Sequence, residues 1–293
     1  MLQPRSPLFD FSASRRARRR ARLLAGDRFL DQAATEGLAD RLAAVTRKFA
    51  AGLWIGAPAN EGEPTKDPVP PDIAPFAREW VCADFDESEI LAAGENRFDV
   101  AVSRFSLQAI NDLPGALVQI RRALKPDGLL LAALLGGGTL SELREAFAHA
   151  ESVTRGGASP RVSPFADVRD LGGLLQRGGF ALPVSDVERL LVRYGDFFAL
   201  ARDLRAHGLT NVLSERSRSF LRRDTLAALL AHYAARHGDP DGKLRARFEI
   251  LYLTGWSPHH SQQKPLTPGS AKTRLADALG VSETVISGSK TSS

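Results

Sequence analysis

The chain has 293 residues with a formal net charge of +5; 43% are hydrophobic and 25% are charged, which is typical of a globular protein with one large core. Its longest apolar run, residues 129–135, is much shorter than the ~18 residues that a membrane-spanning helix needs, so no such helix is predicted. The single cysteine, Cys82, excludes an internal disulfide, and the spacing of histidines and acids indicates no metal site.

Six arginines crowd residues 15–22 and give the N-terminal region its charge. We expect residues 1–11 to form a flexible leader, followed by a basic helix that Ser12 or Ser14 caps and that runs to about Leu24. The arginines are open to three interpretations: a solvated helix face, an arm for an acidic partner such as a nucleic acid or an anionic membrane, and a transit peptide. No aromatic residue stands among them, so stacking on bases is not indicated and no nucleic-acid partner is expected.

A second helix, a strand and a loop follow. The helix is predicted from an apolar stripe formed by Leu38, Leu42, Val45 and Phe49. A short strand is predicted at residues 52–55. Six prolines then fall within residues 57–78. Because proline removes a backbone donor and clashes inside helices, this segment predicts a loop in place of a helix and a strand.

From residue 79 onwards, strand and helix patterns alternate. Residues 180–187 and 189–194 are expected to pair as a C-terminal antiparallel hairpin, and the segment 273–293 is expected to be a flexible tail. The other strands predict an α/β fold with a mainly parallel sheet. The predicted strands are residues 79–83, 98–103, 129–135, 180–187, 189–194 and 248–253, and the clearest helices are residues 113–124, 196–206 and 224–236.

Short motifs predict where several helices begin. Thr139 and Glu142 match a capping box, in which each side chain satisfies a free backbone N–H of the first turn. Ser163 is expected to open a further helix. Asn111 and Asp112 are interpreted as caps of the helix that follows them, and not as chemical groups.

Two sets of motifs carry a resemblance to known proteins. Residues 98–144, FDVAVSRFSLQAINDLPGALVQIRRALKPDGLLLAALLGGGTLSELR, resemble the second half of class I methyltransferases, which depend on S-adenosylmethionine (SAM). The later segments SPRVSPFADVRDLGGLLQRGGF, DLRAHGLTN and GWSPHHSQQKPLTPGSA are similar to alphaproteobacterial relatives of a mitochondrial complex I assembly factor, described as a protein-arginine hydroxylase. The malonyl-carrier-protein methyltransferase of biotin synthesis is a wider relative in this resemblance.

The resemblance implies a Rossmann-like class I methyltransferase domain at residues 12–272, with N-terminal strand–helix units truncated by the loop at 57–78. In this fold, SAM binds at the carboxyl ends of the first strands, where the strand order reverses. The positions that the resemblance assigns to SAM binding are Gly56, Asp84, Phe85 and Ser103. Asp84 is also open to a second interpretation, as a strand-end acid that caps a turn.

The sequence departs from the family around the cofactor. Where a glycine-rich loop follows the first strand, this chain has LWIGAPANEG, which keeps Gly56 and places Pro58 where flexible glycines are expected. Residues 57–78 offer no counterpart of the helix, strand and helix that would supply an acid for the ribose. Glu61, Glu63 or Asp67 could substitute for that acid, but solvated loop charges are the more usual interpretation of such residues. Gln108 and Ala109 stand where the family has His and Trp, so no catalytic residue is assigned.

These losses favour a SAM-dependent methyltransferase-family protein with a degenerate cofactor site, acting in protein modification or respiratory complex I assembly as a non-catalytic pseudoenzyme. SAM is the cofactor that the family implies, and its binding is left open; a protein partner or protein substrate is expected. Two alternatives remain: an active SAM-dependent methyltransferase for a protein or carrier protein, and a basic-helix binder of an acidic partner or membrane surface. We expect a bacterial cytoplasmic location, with peripheral membrane association through complex I as a further option.

Overall fold

The structure is a computed structural model that describes residues 7–24, 27–56 and 69–262. The predicted tail and most of the proline-rich loop lie outside these ranges, within which no helix is long and apolar enough to cross a membrane. The helices are α1 (Phe11–Leu23), α2 (Phe29–Ala43), α3 (Leu113–Ala123), α4 (Ser141–Arg155), α5 (Val168–Arg177), α6 (Phe197–Ala206) and α7 (Arg223–His237). The strands are β1 (Phe49–Ile55), β2 (Ala77–Ala83), β3 (Phe98–Arg104), β4 (Leu124–Leu135), β5 (Ala181–Tyr194) and β6 (Leu244–Trp256).

The six strands form one sheet in the order β2-β1-β3-β4-β6-β5. The strands β2, β1, β3 and β4 are parallel, whereas β6 runs antiparallel to both β4 and β5. Helices α3 and α5 pack against one face of the sheet and α2 against the other, so the central strands are buried on both faces and are nearly all apolar. The predicted Rossmann-like α/β fold is confirmed.

On the β1 side, the sheet is shorter than a doubly wound sheet. In the strand order 3-2-1-4-5-6, two strands lie beyond the first one. Here β2 pairs directly with β1 and forms the edge. The 21 residues between the two strands are enough for one crossover connection but not for a helix, a strand and a second helix. The truncation predicted from the sequence is therefore present in the sheet.

The start of α1 differs from the prediction. Asp10 caps the helix and accepts a hydrogen bond from the Ala13 N–H at 2.8 Å, whereas Ser12 and Ser14 lie within the helix. A carboxylate at the positive end of a helix is a charged acceptor, which explains why it displaces the serines as the cap. Phe9, within the expected leader, is buried and bridges to strand-like residue Leu213.

The second helix is shorter than the apolar stripe predicted. Leu38 and Leu42 are buried on α2 as expected, but the helix ends at Ala43. Val45 follows the helix, and Phe49 is the first residue of β1. The helix was predicted too long because Phe49, the first residue of a buried strand, happens to continue the helical spacing of the apolar residues.

The predicted C-terminal hairpin has the wrong partners. Residues 180–187 and 189–194 belong almost entirely to the single 14-residue strand β5, which pairs antiparallel with β6. No turn occurs between the two predicted pieces, because Glu188 stays in register opposite Ile250 and the side chains keep alternating along the strand. The antiparallel pair at the sheet edge is therefore β5 with β6, which are separated in the chain by α6 and α7.

The capping box predicted for α4 is not formed. The helix begins after Leu140, whose φ is 55°, and it has no side-chain cap. Thr139 Oγ1 instead accepts a hydrogen bond from the Glu249 N–H at 3.0 Å, and Glu142 accepts one from the Arg247 N–H at 3.1 Å. Both polar side chains bind β6 because that strand lies beside the start of the helix, a proximity that sequence spacing does not reveal.

Two other helix starts test the motif predictions. Asp112 caps α3 and accepts a hydrogen bond from the Gly115 N–H, so that prediction is confirmed. Asn111 does not cap the helix but accepts a hydrogen bond from the Phe9 N–H at 2.8 Å. The helix expected to open at Ser163 begins at Val168, because the Asp167 side chain supplies the cap.

Candidate functional site

A cavity of about 560 Å³ lies at the carboxyl ends of β1 and β3, where the strand order reverses. Trp54 and Gly56 line it from the end of β1, and Arg104 and Ser106 line it from the end of β3. Helix α1, the first turn of α2, helix α6 and residues 207–212 supply further parts of the wall. The size and the location are those of a small-molecule site in an open α/β sheet.

Arginine dominates the charged residues of this cavity. In the described part of the chain, six arginines and a single acid, Asp31, line it. The six are Arg18, Arg22, Arg28, Arg104, Arg161 and Arg205. The first four form what we name the arginine cluster, because Arg22 feels the charges of Arg18 and Arg28, and Arg104 feels that of Arg28.

Carboxylates compensate part of the charge of the arginine cluster. Arg18 Nη1 lies 3.0 Å from Asp84 Oδ2, at the end of β2. Arg28 Nη1 lies 3.2 Å from Asp31 Oδ2, and Arg104 Nε lies 3.5 Å from Asp31 Oδ1. Asp31 thus forms ion pairs with two arginines at once, and Asp84 forms one with Arg18.

Burial and mutual repulsion both act on the arginine cluster. Burial lowers the pKa of Arg22, and the charges of Arg18 and Arg28 lower it further against the opposing effect of Asp84. Burial also lowers the pKa of Arg104, which Asp31 opposes. Arginine remains protonated at any ordinary pH, so the lowered value of the half-buried Arg104 means that this cation is held at an electrostatic cost, whereas solvent screens the exposed Arg22. A bound anion would relieve that cost.

A large part of the remaining cavity wall is apolar. Its main apolar side chains come from the end of β4, from α6 and from the N-terminal parts of α2 and α4, and all except Phe147 are buried. We name them the apolar lining: Leu30, Leu135, Leu140, Leu143, Phe147, Leu200 and Leu204. A ligand that contacts both the arginine cluster and the apolar lining must itself have a charged part and an apolar part.

His207 is a cavity residue that the sequence interpretation missed. Its Nδ1 lies 3.0 Å from the carbonyl oxygen of Asp203 and 3.4 Å from Asp203 Oδ1, and Tyr194 donates a hydrogen bond to Asp203 Oδ2. Burial lowers the pKa of His207, but the hydrogen bonds and the charge of Asp203 outweigh burial, and the pKa is raised. The sequence signal was the i,i+4 spacing of Asp203 and His207 in DLRAHGLTN, which was interpreted only as a family motif.

Three buried polar atoms of the cavity wall have no hydrogen-bond partner within the described ranges. They are Arg18 Nε, Gln108 Oε1 and His207 Nε2. The His207 side chain is only 3% exposed, so bulk solvent does not satisfy it. A buried polar atom left unpaired costs about 1–3 kcal/mol, so three in one cavity indicate that a polar ligand or bound water completes the site.

The four positions assigned to SAM binding are not gathered around the cavity. Gly56 lines it. Asp84 lies at the end of β2 but binds Arg18, and Phe85 is buried in the hydrophobic core. Ser103 is fully buried within β3 and is not among the lining residues.

The surroundings of these positions differ from those that the resemblance implies for SAM. SAM carries a sulfonium, an ammonium and a carboxylate. Its carboxylate is attracted to the arginine cluster, whereas its net positive charge is disfavoured there. Both carboxylate oxygens of Asp84 are already bound, Oδ2 by Arg18 and Oδ1 by the Phe85 N–H at 2.9 Å. A Cβ added at Gly56 would lie 3.2 Å from both Trp54 Nε1 and Ser106 Oγ, so a side chain at this position would crowd its neighbours.

The basic helix divides its arginines between two surfaces. Arg18 and Arg22 line the cavity, so a purely solvated face does not account for the whole run. The exposed arginines of the same helix are Arg15, Arg16, Arg19, Arg20 and Arg22, of which Arg22 also borders the cavity. Over the described ranges, no group of three or more His, Cys, Asp or Glu side chains could hold a metal ion.

Comparisons with known proteins point in one direction. A family profile described as a methyltransferase domain matches residues 7–183. Arginine-hydroxylase NDUFAF5, mitochondrial, from Danio rerio is 44% identical over 196 residues, which are 67% of this chain and 60% of that protein. Malonyl-[acyl-carrier protein] O-methyltransferase from Laribacter hongkongensis is 37% identical over 189 residues, which are 64% of this chain and 60% of that protein.

Among solved structures, the YcgJ protein from Bacillus subtilis is similar at 12% identity and a TM-score of 0.48, over 76% of this chain and 99% of that chain. Because this TM-score is below 0.5, the family assignment is based on the sequence matches and not on the structural similarity. The chain spans about 60% of the length of the two curated relatives named above.

Proposed function

Because the chain belongs to the methyltransferase-domain family, whose chemistry depends on SAM, we propose that it is a member with a degenerate cofactor site that acts without catalysis. Its role in this proposal is to bind a protein partner in protein modification or in the assembly of respiratory complex I. A bacterial cytoplasmic location, with peripheral membrane association through that complex, belongs to the same proposal.

The observation that carries the proposal is the arginine cluster at the place where the family fold binds SAM. The net positive charge of SAM is disfavoured there. Asp84, which follows β2, forms an ion pair with Arg18. Gln108 lines the same cavity where the family resemblance implies a histidine, and an amide does not accept a proton near neutral pH.

The names of the relatives support a protein partner. The relative from Danio rerio is named an arginine-hydroxylase, and the relative from Laribacter hongkongensis is named for an acyl-carrier protein as its substrate. Since this chain matches only part of each relative, we carry over the class of partner and not the reaction.

Titration calorimetry with SAM and with S-adenosylhomocysteine tests the loss of the cofactor site. We expect no heat of binding and no thermal stabilisation at about millimolar ligand. The variant Arg18→Gln frees Asp84, and we expect it to remain unable to bind SAM because the other arginines stay in place. Binding of SAM to the unmodified chain at micromolar concentration would overturn the proposal in favour of an active methyltransferase.

Deletion of the gene in the native cell tests the role in assembly. We expect the NADH:quinone oxidoreductase activity of the membranes to fall, and to return when either the unmodified chain or the Gly56→Leu variant is supplied. The variant adds a bulky side chain beside Trp54 and Ser106 and so obstructs the end of β1 that borders the cavity; thermal unfolding of the variant checks that it folds. Unchanged activity in the deletion strain contradicts the role in complex I, whereas rescue by the unmodified chain alone contradicts the non-catalytic part.

A further inference from the structure

We propose that the cavity at the ends of β1 and β3 binds a small amphipathic organic anion, with a carboxylate or phosphate headgroup at the arginine cluster and an apolar body along the apolar lining. The inference rests on the proposed function, since SAM in the family position would occupy the same space. It names the chemical class of ligand for a site that has lost the cofactor expected there.

The first argument is the charge at the headgroup position. Arg18 and Arg22 are four residues apart on α1, so their side chains leave the same face of the helix. Arg28 and Arg104 approach from the start of α2 and the end of β3. Guanidinium groups that converge from separate elements are the usual means of binding carboxylate and phosphate, because each offers several N–H donors in a planar arrangement.

Within the described ranges, the arginines that line this part of the cavity outnumber the acids, so an anion is favoured over a cation there. Asp31 is the single acidic residue among the described lining residues, and it binds both Arg28 and Arg104. Asp84 binds Arg18 by one guanidinium nitrogen, at 3.0 Å, while the Arg18 Nε remains without a hydrogen-bond partner in the described ranges. This N–H is a donor that a bound oxyanion would satisfy.

The second argument is the position of the other unsatisfied atoms. His207 Nε2 is buried in the wall, and its opposite ring nitrogen is fixed by Asp203, so the free nitrogen has a set direction. Gln108 Oε1 is an acceptor and requires a donor from the ligand or from a bound water. A headgroup that accepts at Arg18 and at protonated His207 would satisfy two of the three atoms.

The third argument is the apolar lining. Leu140, Leu143 and Leu200 are buried members of one hydrophobic cluster, and each also contributes to the cavity surface. A fully hydrophilic ion would leave this surface in contact with water, whereas an alkyl or aryl body would cover it. The ligand class is therefore an acid with an apolar body, and not inorganic phosphate or a sugar phosphate.

Four probes with the same octyl chain test the proposal by titration calorimetry on the full chain: octanoate, octyl phosphate, octanol and octyltrimethylammonium. We expect at least one of the two anions to bind about tenfold or more tightly than octanol, and no binding of the cation. The preference between octanoate and octyl phosphate assigns the headgroup as a carboxylate or a phosphate. Equal binding of all four probes, or binding of none, would overturn the proposal.

A matched pair of variants locates the headgroup. Arg18→Gln removes a half-buried charge that lines the cavity, and Arg19→Gln removes the same charge from an exposed position on the same helix. We expect the anion affinity to fall about tenfold in Arg18→Gln and to stay within about twofold in Arg19→Gln. Equal effects of the two variants would place binding outside the cavity and contradict the inference.

The outcomes separate this inference from the proposed function. Binding of SAM at micromolar concentration would overturn the proposed function and this inference together. If neither SAM nor the octyl anions bind, the inference alone fails, and the non-catalytic role in binding a protein partner stands.

Discussion

The arginine cluster and the apolar lining share one cavity, but burial has opposite effects on the stability of the two sets of side chains. Leu140, Leu143 and Leu200 are buried in a hydrophobic cluster that stabilises the fold. Arg22 and Arg104 have lowered pKa values, because burial and neighbouring arginines oppose their charge. Groups that cost stability in the empty protein are expected where a bound ligand compensates them. We therefore expect the cluster to depend on the ligand, whereas the lining stabilises the fold whether or not a ligand is bound.

The largest expected effect is on the apolar lining. Leu200→Ala removes a fully buried side chain of α6, and we expect the free energy of unfolding to fall by about 3 kcal/mol through lost burial and the added void. Urea denaturation measures it. The matched control is Val153→Ala, whose side chain is 61% exposed and whose cost should stay below about 0.5 kcal/mol. Similar losses in both variants would contradict the role of the lining in the fold.

The next effect concerns Arg161, a cavity arginine outside the cluster. Its guanidinium binds Glu151 at 2.8 Å and 2.6 Å, and the Glu151 side chain is 1% exposed. Burial raises the pKa of Glu151, but hydrogen bonds from Ser159 and Arg161 outweigh burial, and the pKa is lowered. We expect Glu151→Gln to lower the free energy of unfolding by about 2 kcal/mol at neutral pH, since the amide keeps some of the hydrogen bonds.

The pH dependence of unfolding checks the sign of that effect. A carboxyl group whose pKa is lower in the folded chain stabilises it fully above the unfolded pKa, and this stabilisation disappears as the pH falls through the folded pKa. The difference in unfolding free energy between the unmodified chain and Glu151→Gln should therefore shrink below about pH 4.5. A difference that stays constant down to the lowest pH would show that the ion pair does not cause it.

A smaller effect is expected from the acid inside the cluster. Asp31→Asn removes one negative charge beside Arg28 and Arg104, so octanoate should bind about fivefold more tightly. Asp40→Asn makes the same change at an exposed position on the same helix and should leave the affinity unaltered. Weaker binding in Asp31→Asn would mean that Asp31 orients the arginines more than it neutralises them.

The smallest effect is the pH dependence of anion binding. The charged or titratable groups that act on His207 are Asp203 on α6 and Asp31 on α2, and they raise its pKa against burial. Protonated His207 adds a positive charge to the wall, so octanoate affinity should rise about two- to threefold as the pH falls from about 9 to about 6, a range in which octanoate stays ionised. His207→Gln should give a flat profile; a persistent slope would assign the titration to another group.

The titration of His207 should also change the free energy of unfolding of the unmodified chain, which should fall as the pH rises. Because the folded pKa of His207 is raised, its stabilisation is fully present below the unfolded value of about 6.5 and is lost as the pH rises through the folded pKa. Thermal unfolding across this range, compared with His207→Gln, separates the effect from that of Glu151, which acts at acidic pH.

The parts of the fold that local sequence predicts are those with local causes. The apolar run 129–135 is buried in β4, Asp112 caps α3, and the shortage of residues before β2 leaves the sheet with a single strand beyond β1. The errors occur where an element distant in sequence determines the local contacts. Thr139 accepts a hydrogen bond from the Glu249 N–H of β6, and α4 therefore has no side-chain cap. Capping motifs describe one helix, and they contain no information on which strand lies beside it.

The sequence by itself determined the α/β alternation, the family resemblance and the loss of the glycine-rich loop and of the strand that would carry the ribose acid, because these are properties of neighbouring residues. The tertiary structure alone decided that Arg18 binds Asp84 and that His207 faces the same cavity as Arg104. These residues come together because parallel strands end at one edge of the sheet and helices close over it. The cationic character of the cavity is a sum over separate elements, and therefore no single motif contains it.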